Sequence, residues 1–248
     1  MRLFGLIGYP LSHSFSEKYF TEKFFREHIS DCVYRNFPLE KIHMLPDLLT
    51  SHHNLCGLNV TIPYKQAVIP YLKSLDNTAG EVGAVNTIKI IRQKTTPVLK
   101  GYNTDVYGFE KSLMPLLNNT HRNALILGTG GAAKAVAYVL KKNAIQYKYV
   151  SRSAGGDGKL LYADITQILL MEYTLIINTS PLGMYPSTDT CPEIPYQYIG
   201  TSHVLYDLVY NPEETLFLKK GKERGAVVKN GLEMLYLQAE RAWQIWNE

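Results

Sequence analysis

The chain has 248 residues, a formal net charge of +4, and hydrophobic and charged shares of 46% and 19%. These shares are normal for a globular protein, and the length allows one large domain or two ordinary ones. The positive charge is too small and scattered to indicate nucleic-acid or membrane partners, although it suits an anionic substrate and cofactor. No apolar run approaches the length of a membrane-spanning helix.

The N-terminus lacks the apolar length of a signal peptide and is expected to form a first strand. Three cysteines, Cys32, Cys56 and Cys191, are far apart and lack metal or disulfide spacing, which indicates reduced thiols in a cytoplasmic protein. The seven histidines show no spacing typical of zinc ligands, so no metal is expected.

The chain up to about residue 104 is predicted to alternate strands with helices. Strands are expected at 3–8, 33–37 and 58–62, helices at 16–28 and 39–50, and a strand pair at 84–91 and 97–101. Ser16 precedes the first helix as an N-cap would, but the hydroxyls of Ser14 and Ser16 also suit a carboxylate cradle.

Polar side chains collect at the end of strand 58–62. Asn59 and Thr61 alternate with apolar residues and therefore share one face of the strand. Pro63 ends the strand, and Lys65 begins the next helical run. An amide, a hydroxyl and an amine are thus expected near one strand end, where α/β proteins usually bind ligands. An edge strand with an exposed lysine is the alternative that this pattern leaves open.

The second half alternates strands at 124–127, 147–150, 175–178, 204–208 and 227–229 with helices, which predicts a mainly parallel sheet covered on both faces. The first of these strands runs directly into Gly128-Thr129-Gly130-Gly131-Ala132 and then a helix. This is the context of a dinucleotide-binding turn, in which glycines let the backbone approach a pyrophosphate at a helix N-terminus. A final helix at 232–246 is expected to pack back on the first half.

The residues that follow strand 147–150 indicate which cofactor is bound. An NAD site has an acidic residue there for the ribose, whereas this chain has Ser151-Arg152-Ser153. Arg152 can pair with a 2′-phosphate and stack on adenine, and the serines can donate to the same phosphate. NADP is therefore predicted, although a solvated loop arginine remains the structural alternative. Four further polar residues, Asn86, Asp105, Tyr210 and Gln238, are unremarkable when each is considered alone.

Considered together, these segments resemble the shikimate dehydrogenase family almost end to end. The matching segments keep the family's order and spacing, and they are Ser14-Phe15-Ser16, Asn59 to Lys65, Gly83 to Thr87, Asn103-Thr104-Asp105, Gly128 to Ala132, Asn178 to Met184, Asp207 to Tyr210, and Gly231 to Leu235 with Gln238. The resemblance implies a substrate domain at 1–104, joined by the C-terminal helix 231–248, and a Rossmann-like, doubly wound NADP-binding domain at 105–230. Both are α/β domains.

The resemblance also implies site residues. It assigns catalysis to Lys65 and Asp105. Shikimate would be bound by Ser14, Ser16, Asn59, Thr61, Lys65, Asn86, Asp105, Tyr210 and Gln238. NADP would be bound by Gly128, Thr129, Gly130, Gly131, Ala132, Ser151, Arg152, Ser153, Val209 and Gly231. The implied activity is the NADP-dependent reduction of 3-dehydroshikimate to shikimate by a cytoplasmic enzyme, and the resemblance leaves a homodimer open.

Three departures from the family pattern stand out. Glu17 replaces a usual proline, Thr129 a usual alanine, and Ser151 a usual asparagine before Arg152. None removes a group that the chemistry needs, although Ser151 affects the adenine pocket. The sequence also leaves open a quinate or dual quinate/shikimate dehydrogenase that uses NAD, another two-domain NADP enzyme such as a methylenetetrahydrofolate dehydrogenase, and a catalytically silent NADP-binding regulator.

Overall fold

The structure is a computed structural model that describes residues 1–11, 15–93, 96–153 and 158–248. The chain forms two compact units, Met1–Thr104 together with Ala239–Glu248, and Asp105–Gln238. The C-terminal helix was expected to join the first domain from residue 231, whereas the structure assigns only Ala239 onward to the first unit. Across the described ranges, no helix combines the length and apolar character needed to cross a membrane.

The first unit is built on a six-stranded mixed sheet. Its strands are β1 (Arg2–Gly8), β2 (Cys32–Pro38), β3 (Leu55–Val60), β4 (Ser74–Leu75), β5 (Thr87–Gln93) and β6 (Thr96–Tyr102). Their order is β2-β1-β3-β5-β6-β4. β1 pairs in parallel with β2 and β3, whereas β5 runs antiparallel to β3 and β6. As a result, the carboxyl ends of β1, β3 and β6 and the amino end of β5 meet at one edge of the sheet.

The helices of this unit are short, except for the first. They are α1 (Phe15–Arg26), α2 (Leu45–Ser51), α3 (Tyr64–Ala67) and α4 (Asn77–Val82). The helix predicted at 39–50 begins only at Leu45, after a 3-10 turn at Ile42–Met44, because Pro46 fits the first turn of a helix and not its interior. Likewise, α1 begins at Phe15, so Ser16 lies inside its first turn and is not the expected N-cap.

The core of the first unit has two parts. Aliphatic side chains from β1, β3, β5 and α2 form one cluster, which includes Leu45, Leu55 and Ile88. The other is largely aromatic and joins α1, β1 and β2 to the C-terminal residues, with Phe20 and Trp246 among its members. The indole N–H of Trp246 donates to the backbone oxygen of Ile88 at 3.0 Å, which attaches the end of the chain to β5.

The second unit has a fully parallel six-stranded sheet. Its strands are β7 (Asn123–Leu127), β8 (Gln146–Ser151), β9 (Lys159–Leu161), β10 (Leu175–Asn178), β11 (Val204–Asp207) and β12 (Val227–Lys229). Its helices are α5 (Thr104–Leu113, whose first residue belongs to the first unit), α6 (Gly131–Lys142), α7 (Gln167–Glu172), α8 (Leu216–Lys222) and α9 (Leu232–Asn247), which continues into the first unit.

The strand order β12-β11-β10-β7-β8-β9 is that of a doubly wound dinucleotide-binding sheet. After β7 the chain adds β8 and β9 on one side, and from β10 it continues on the other side. The point of reversal therefore lies between β7 and β10, where such sheets bind ligands at the carboxyl ends of the strands. The predicted α/β architecture, with one Rossmann-like unit, is confirmed.

Candidate active site

A buried hydrogen-bond network occupies the carboxyl edge of the first sheet. The Asn59 side-chain nitrogen donates to the hydroxyl of Thr87 at 3.2 Å, and that hydroxyl donates to the Asn86 side-chain oxygen at 3.2 Å. Asn86 in turn donates to the hydroxyl of Thr104 at 3.0 Å and accepts from the Thr104 backbone N–H at 2.7 Å. All four residues are at most 5% exposed. The network holds two predicted substrate-binding amides in fixed orientations.

Thr61 and Lys65 follow this network along the chain. The alternation predicted Thr61 within the strand. β3 ends at Val60, however, so Thr61 lies just beyond it. Its backbone N–H donates to Ile7 at 2.9 Å, which keeps Thr61 beside the end of β1. Lys65 lies on α3 and is partly buried. Its backbone carbonyl accepts a 2.7 Å hydrogen bond from the Val85 backbone N–H. Lys65 is thereby tied to the segment that carries Asn86.

Ser14 lies outside the described residues, whereas Ser16 is described. The Ser16 hydroxyl hydrogen-bonds to the hydroxyl of Tyr34, which donates to the Asn59 side-chain oxygen at 2.8 Å. Burial raises the pKa of Tyr34 well above its usual value, against the opposing effect of Ser16. Tyr34 therefore remains a neutral donor and joins two predicted substrate-binding residues.

Asp105 and Gln238 belong to the second unit. Asp105 is 8% exposed and lies in the first turn of α5, where the helix dipole favours a negative charge. One turn later, α5 and α9 come so close that a Cβ added to Gly108 would meet Gln238 at 3.2 Å. Gln238 is also 8% exposed. The structure thus places these two polar residues on helices in mutual contact.

The glycine turn follows β7 and precedes α6, as predicted, and the strand order places it at the point of reversal of the second sheet. Gly128 has φ +118°, a conformation that residues with a Cβ rarely adopt, and an added Cβ would meet the Thr179 hydroxyl at 2.7 Å. α6 begins at Gly131. Apart from the adjoining backbone and the two chain neighbours, no heavy atom of the described residues lies within 4 Å of a Cβ added at Gly130 or Gly131. The space above the helix N-terminus is therefore suited to a diphosphate, and the residues present fit NADP.

A buried carboxylate organises the loop after β11. Asp207 is fully buried and accepts hydrogen bonds from the Thr215 hydroxyl at 2.6 Å, the Asn178 side chain at 2.9 Å and the Val209 backbone N–H at 3.0 Å. Burial raises the pKa of Asp207 to about 6, although the three hydrogen bonds oppose the rise. Asp207 ties the ends of β10 and β11 to Val209, a predicted cofactor contact.

Gly231 and Tyr210 lie beside this loop. The Gly231 backbone N–H donates to Val209 at 3.1 Å, and any side chain at Gly231 would collide with the backbone of Leu208. This close approach is a structural reason for a glycine, in addition to its predicted contact with NADP. Tyr210 is partly buried, and burial raises the pKa of its phenol.

The predicted adenine-end residues lie at the end of β8. Ser151 is the last residue of that strand, and its hydroxyl accepts a weak 3.4 Å hydrogen bond from the Ser153 backbone N–H. Arg152 is exposed, and its charge opposes the rise in the pKa of Tyr162 that burial causes. Arg152 is therefore available to an anionic group at the end of β8, and its charge acts on Tyr162.

Sequence reasoning assigned no role to Tyr34, Thr87 or Asp207. Thr87 and Asp207 lie within segments that carry the family resemblance, so a signal for them was present in the sequence. Tyr34 had none, because an aromatic residue in the middle of a strand is typical of a core position.

Neither a cavity nor a metal-ligand cluster among the described residues gives a further site residue. A cavity of about 520 Å³ in the first unit lies between α2, β5 and β6, but none of the predicted site residues lines it. Among the described residues, no three His, Cys, Asp or Glu side chains lie close enough to hold a metal ion.

Comparison with known proteins gives consistent matches. A family model described as the shikimate dehydrogenase substrate binding domain matches residues 6–88. A relative named shikimate dehydrogenase (NADP(+)), from Clostridium beijerinckii, is 41% identical over 100% of this chain and 93% of its own length. A solved shikimate dehydrogenase in complex with NADP+ is 32% identical, with a TM-score of 0.85 over 99% of this chain and 90% of that chain.

A solved quinate dehydrogenase from Corynebacterium glutamicum, in complex with NAD, is 26% identical. Its TM-score is 0.85, and the match covers 99% of this chain and 93% of that chain. The two shikimate dehydrogenases described above are more similar, at 41% and 32% identity, and their matches cover both units of this chain. The chain belongs to the shikimate dehydrogenase family.

Proposed function

We propose that this protein catalyses the reversible, NADP-dependent reduction of 3-dehydroshikimate to shikimate, in the pathway to chorismate and the aromatic amino acids. The observation that carries the proposal is the buried amide network at the edge of the first sheet. Its asparagines, Asn59 and Asn86, are held in fixed orientations beside the partly buried Lys65. Oriented amides and hydroxyls are suited to bind the hydroxyl groups of a small ring acid, because a ring hydroxyl can donate to an acceptor that the network holds in place.

In this proposal the first unit supplies most of the substrate-binding residues, and the second unit binds NADP and supplies the other three, Asp105, Tyr210 and Gln238. The ring hydroxyls and carboxylate of shikimate would be bound by the polar residues predicted from the sequence, namely Ser14, Ser16, Asn59, Thr61, Asn86, Asp105, Tyr210 and Gln238. The burial of Asn59 and Asn86 supports this role, since oriented groups with few competing waters bind a polar ligand at lower cost.

Lys65 and Asp105 are the proposed catalytic residues. When the carbonyl of 3-dehydroshikimate is reduced, negative charge develops on its oxygen and a proton must reach that atom. The Lys65 ammonium can stabilise this charge and donate the proton. In the reverse direction, the Lys65 amine takes the proton from the shikimate hydroxyl. The Asp105 carboxylate can accept a hydrogen bond from the same hydroxyl and orient it for the transfer.

NADPH, when bound, supplies the hydride to the carbonyl carbon. The chain's own contribution is to hold the cofactor, through the amides of Gly128 to Ala132 at the start of α6 and through Ser151, Arg152 and Ser153 at the end of β8. Val209 and Gly231 are proposed as contacts at the other end of the cofactor. Two contacts support that assignment: Gly231 is hydrogen-bonded to Val209, and Val209 is hydrogen-bonded to Asp207.

A quinate or dual-specificity dehydrogenase that uses NAD is the second candidate, favoured by the similarity to the quinate dehydrogenase. Arg152 after β8, with no acidic residue directly beside it, supports NADP instead. A silent NADP-binding regulator would bind the cofactor without turnover, and the presence of both Lys65 and Asp105 argues against it.

The decisive experiment follows NADPH absorbance after the protein is mixed with shikimate and NADP at mildly alkaline pH. Parallel reactions contain quinate in place of shikimate, or NAD in place of NADP. We expect the highest kcat/KM with shikimate and NADP. A higher kcat/KM with quinate or with NAD would favour the second candidate, and cofactor binding without any turnover would refute an enzymatic function.

Cytoplasmic location and a homodimer remain predictions, and light scattering would test the homodimer.

A further inference from the structure

Tyr34 lies in the middle of β2 and is held by aromatic neighbours. Its ring is stacked on that of Phe20, with centroids 4.7 Å apart and planes 15° from parallel. Trp246 packs against it at 6.4 Å. The residue is 3% exposed. Because neighbours from α1 and the C-terminal residues enclose the ring, the hydroxyl of Tyr34 has a well-defined position.

This hydroxyl and the acceptors on the opposite side orient the Asn59 amide together. The Tyr34 hydroxyl donates to the Asn59 side-chain oxygen at 2.8 Å. The Asn59 nitrogen then faces the other way, towards the Thr87 hydroxyl at 3.2 Å and the Asn86 backbone oxygen at 3.4 Å. A flipped amide would turn its oxygen towards two acceptors, namely the Asn86 carbonyl and the Thr87 hydroxyl, whose proton is already donated to the Asn86 side chain. One orientation of the amide is therefore strongly favoured.

The favoured orientation has a chemical consequence for a bound ligand. Both N–H groups of Asn59 point at protein acceptors, whereas its side-chain oxygen accepts one hydrogen bond within the described residues and has a second lone pair. Asn59 is thus prepared to accept a hydrogen bond and not to donate one. A ring hydroxyl, as a donor, meets this requirement, but a ring carbonyl or ether oxygen does not.

We propose that Tyr34 is a positioning residue of the substrate site, which fixes the Asn59 amide as an acceptor for a substrate hydroxyl and couples it to Ser16. The inference rests on the proposed function, because it concerns the same site. Tyr34 itself does not need to touch the substrate. Its influence passes through Asn59, so Tyr34 contributes to the selection of a hydroxyl-bearing ring at this position.

The test begins with Tyr34→Phe, which removes the hydroxyl and keeps the ring in its aromatic surroundings. We expect KM for shikimate, and its dissociation constant measured by calorimetry, to rise about tenfold, as for the loss of one buried hydrogen bond. The KM for NADP should change less than about twofold, because the cofactor residues belong to the second unit. Tyr196→Phe is the matched control, since it removes a hydroxyl that donates to the Pro192 carbonyl within the second unit. Its KM for shikimate should equal that of the wild type.

A double-mutant cycle with Asn59→Ala separates positioning from a general loss of stability. Because Tyr34 acts through Asn59, the double variant should bind shikimate within about twofold of Asn59→Ala alone. Additive effects, or an unchanged KM in Tyr34→Phe, would overturn the role of Tyr34 while the proposed function stands. Absence of wild-type turnover with shikimate would instead refute the proposed function and the inference with it.

Thermal unfolding of each variant accompanies the kinetics. Should Tyr34→Phe fail to fold, Phe20→Leu is the second variant, because it loosens the stacked ring and leaves the hydroxyl and Asn59 in the chain. We expect a rise of about threefold or more in KM for shikimate with an unchanged KM for NADP. An unchanged KM for shikimate in Phe20→Leu would overturn the inference in that case.

Discussion

Replacing Asp207 with asparagine should change how the stability of the second unit depends on pH. In the native protein, burial raises the pKa of this carboxyl to about 6 from an ordinary value of 3.8. The native state therefore binds a proton more tightly than the unfolded state does. Stability from this group is complete below about pH 4 and is lost as the pH rises through about 6. Asparagine cannot ionise, so this loss should be absent in the variant.

The magnitude follows from the difference between the two pKa values. At about 1.4 kcal/mol per pKa unit, a rise from 3.8 to about 6 corresponds to about 3 kcal/mol over the whole range. About half of it, roughly 1.4 kcal/mol, falls between pH values of about 5 and 7.5. Asparagine preserves the local geometry, because its oxygen can accept from Asn178 and Val209 while its nitrogen donates to the Thr215 hydroxyl.

The assay must report on the second unit by itself. Both tryptophans, Trp243 and Trp246, belong to the first unit, so their fluorescence does not follow the unfolding of the second. Peptide-resolved hydrogen exchange over residues 204–209, followed as a function of urea concentration, measures the required free energy. Asp189→Asn is the control, because Asp189 is an exposed aspartate of the same unit.

Relative to the wild type, Asp207→Asn should gain roughly 1.4 kcal/mol between pH values of about 5 and 7.5, whereas Asp189→Asn should follow the wild-type profile. The reasoning would be refuted by a difference from the wild type that does not change with pH. It would be refuted equally by a relative loss of stability in the variant at higher pH, since that is the sign expected for a carboxylate stabilised in its charged form.

Three further predictions concern catalysis and the cofactor. Lys65→Ala should lower kcat about 10²- to 10⁴-fold, measured with shikimate and NADP at saturation, because a proton donor and charge stabiliser is removed. Gly128→Ala should raise the KM for NADP about tenfold or more and lower the melting temperature, because its φ of +118° and the Thr179 hydroxyl at 2.7 Å both oppose a Cβ. Arg152→Gln should raise the KM for NADP about tenfold and change that for NAD little, measured by initial rates with each cofactor.

Matched variants separate these effects from general damage. Lys18→Ala removes an amine whose side chain is 79% exposed, and it should retain wild-type kcat. Gly80→Ala lies in α4 with open space around an added Cβ, so it should leave the KM for NADP unchanged and raise stability slightly. A near-normal kcat in the Lys65→Ala variant would exclude Lys65 as the main catalytic residue. Equal rises in KM for NADP and NAD in Arg152→Gln would contradict its pairing with a 2′-phosphate.

Much of the second unit could be predicted because its signals are local. A buried strand, a glycine turn and a helix follow one another between residues 123 and 142, and each is specified by the residues within it. The strand at 58–62 was only partly right. Its alternation continues through Ile62, but Pro63 cannot donate to a sheet and the Tyr64 backbone N–H bonds to the Thr61 carbonyl, so the chain turns after Val60.

The kinds of chemistry present, and their order along the chain, were decided by sequence alone. The residue types at 59–65 and 128–132 already indicated a ligand site with an amide, a hydroxyl and an amine, and a turn for a dinucleotide, and the family resemblance of the ordered segments implied the small ring acid. Which groups hold those residues in place was decided only by the tertiary structure. Tyr34 meets Asn59 across 25 positions, and Asp207 meets Asn178 across 29. The folded backbone brings such distant residues together, so no local sequence pattern predicts these contacts. Burial then makes each hydrogen bond obligatory, because an unpaired polar group away from water is costly.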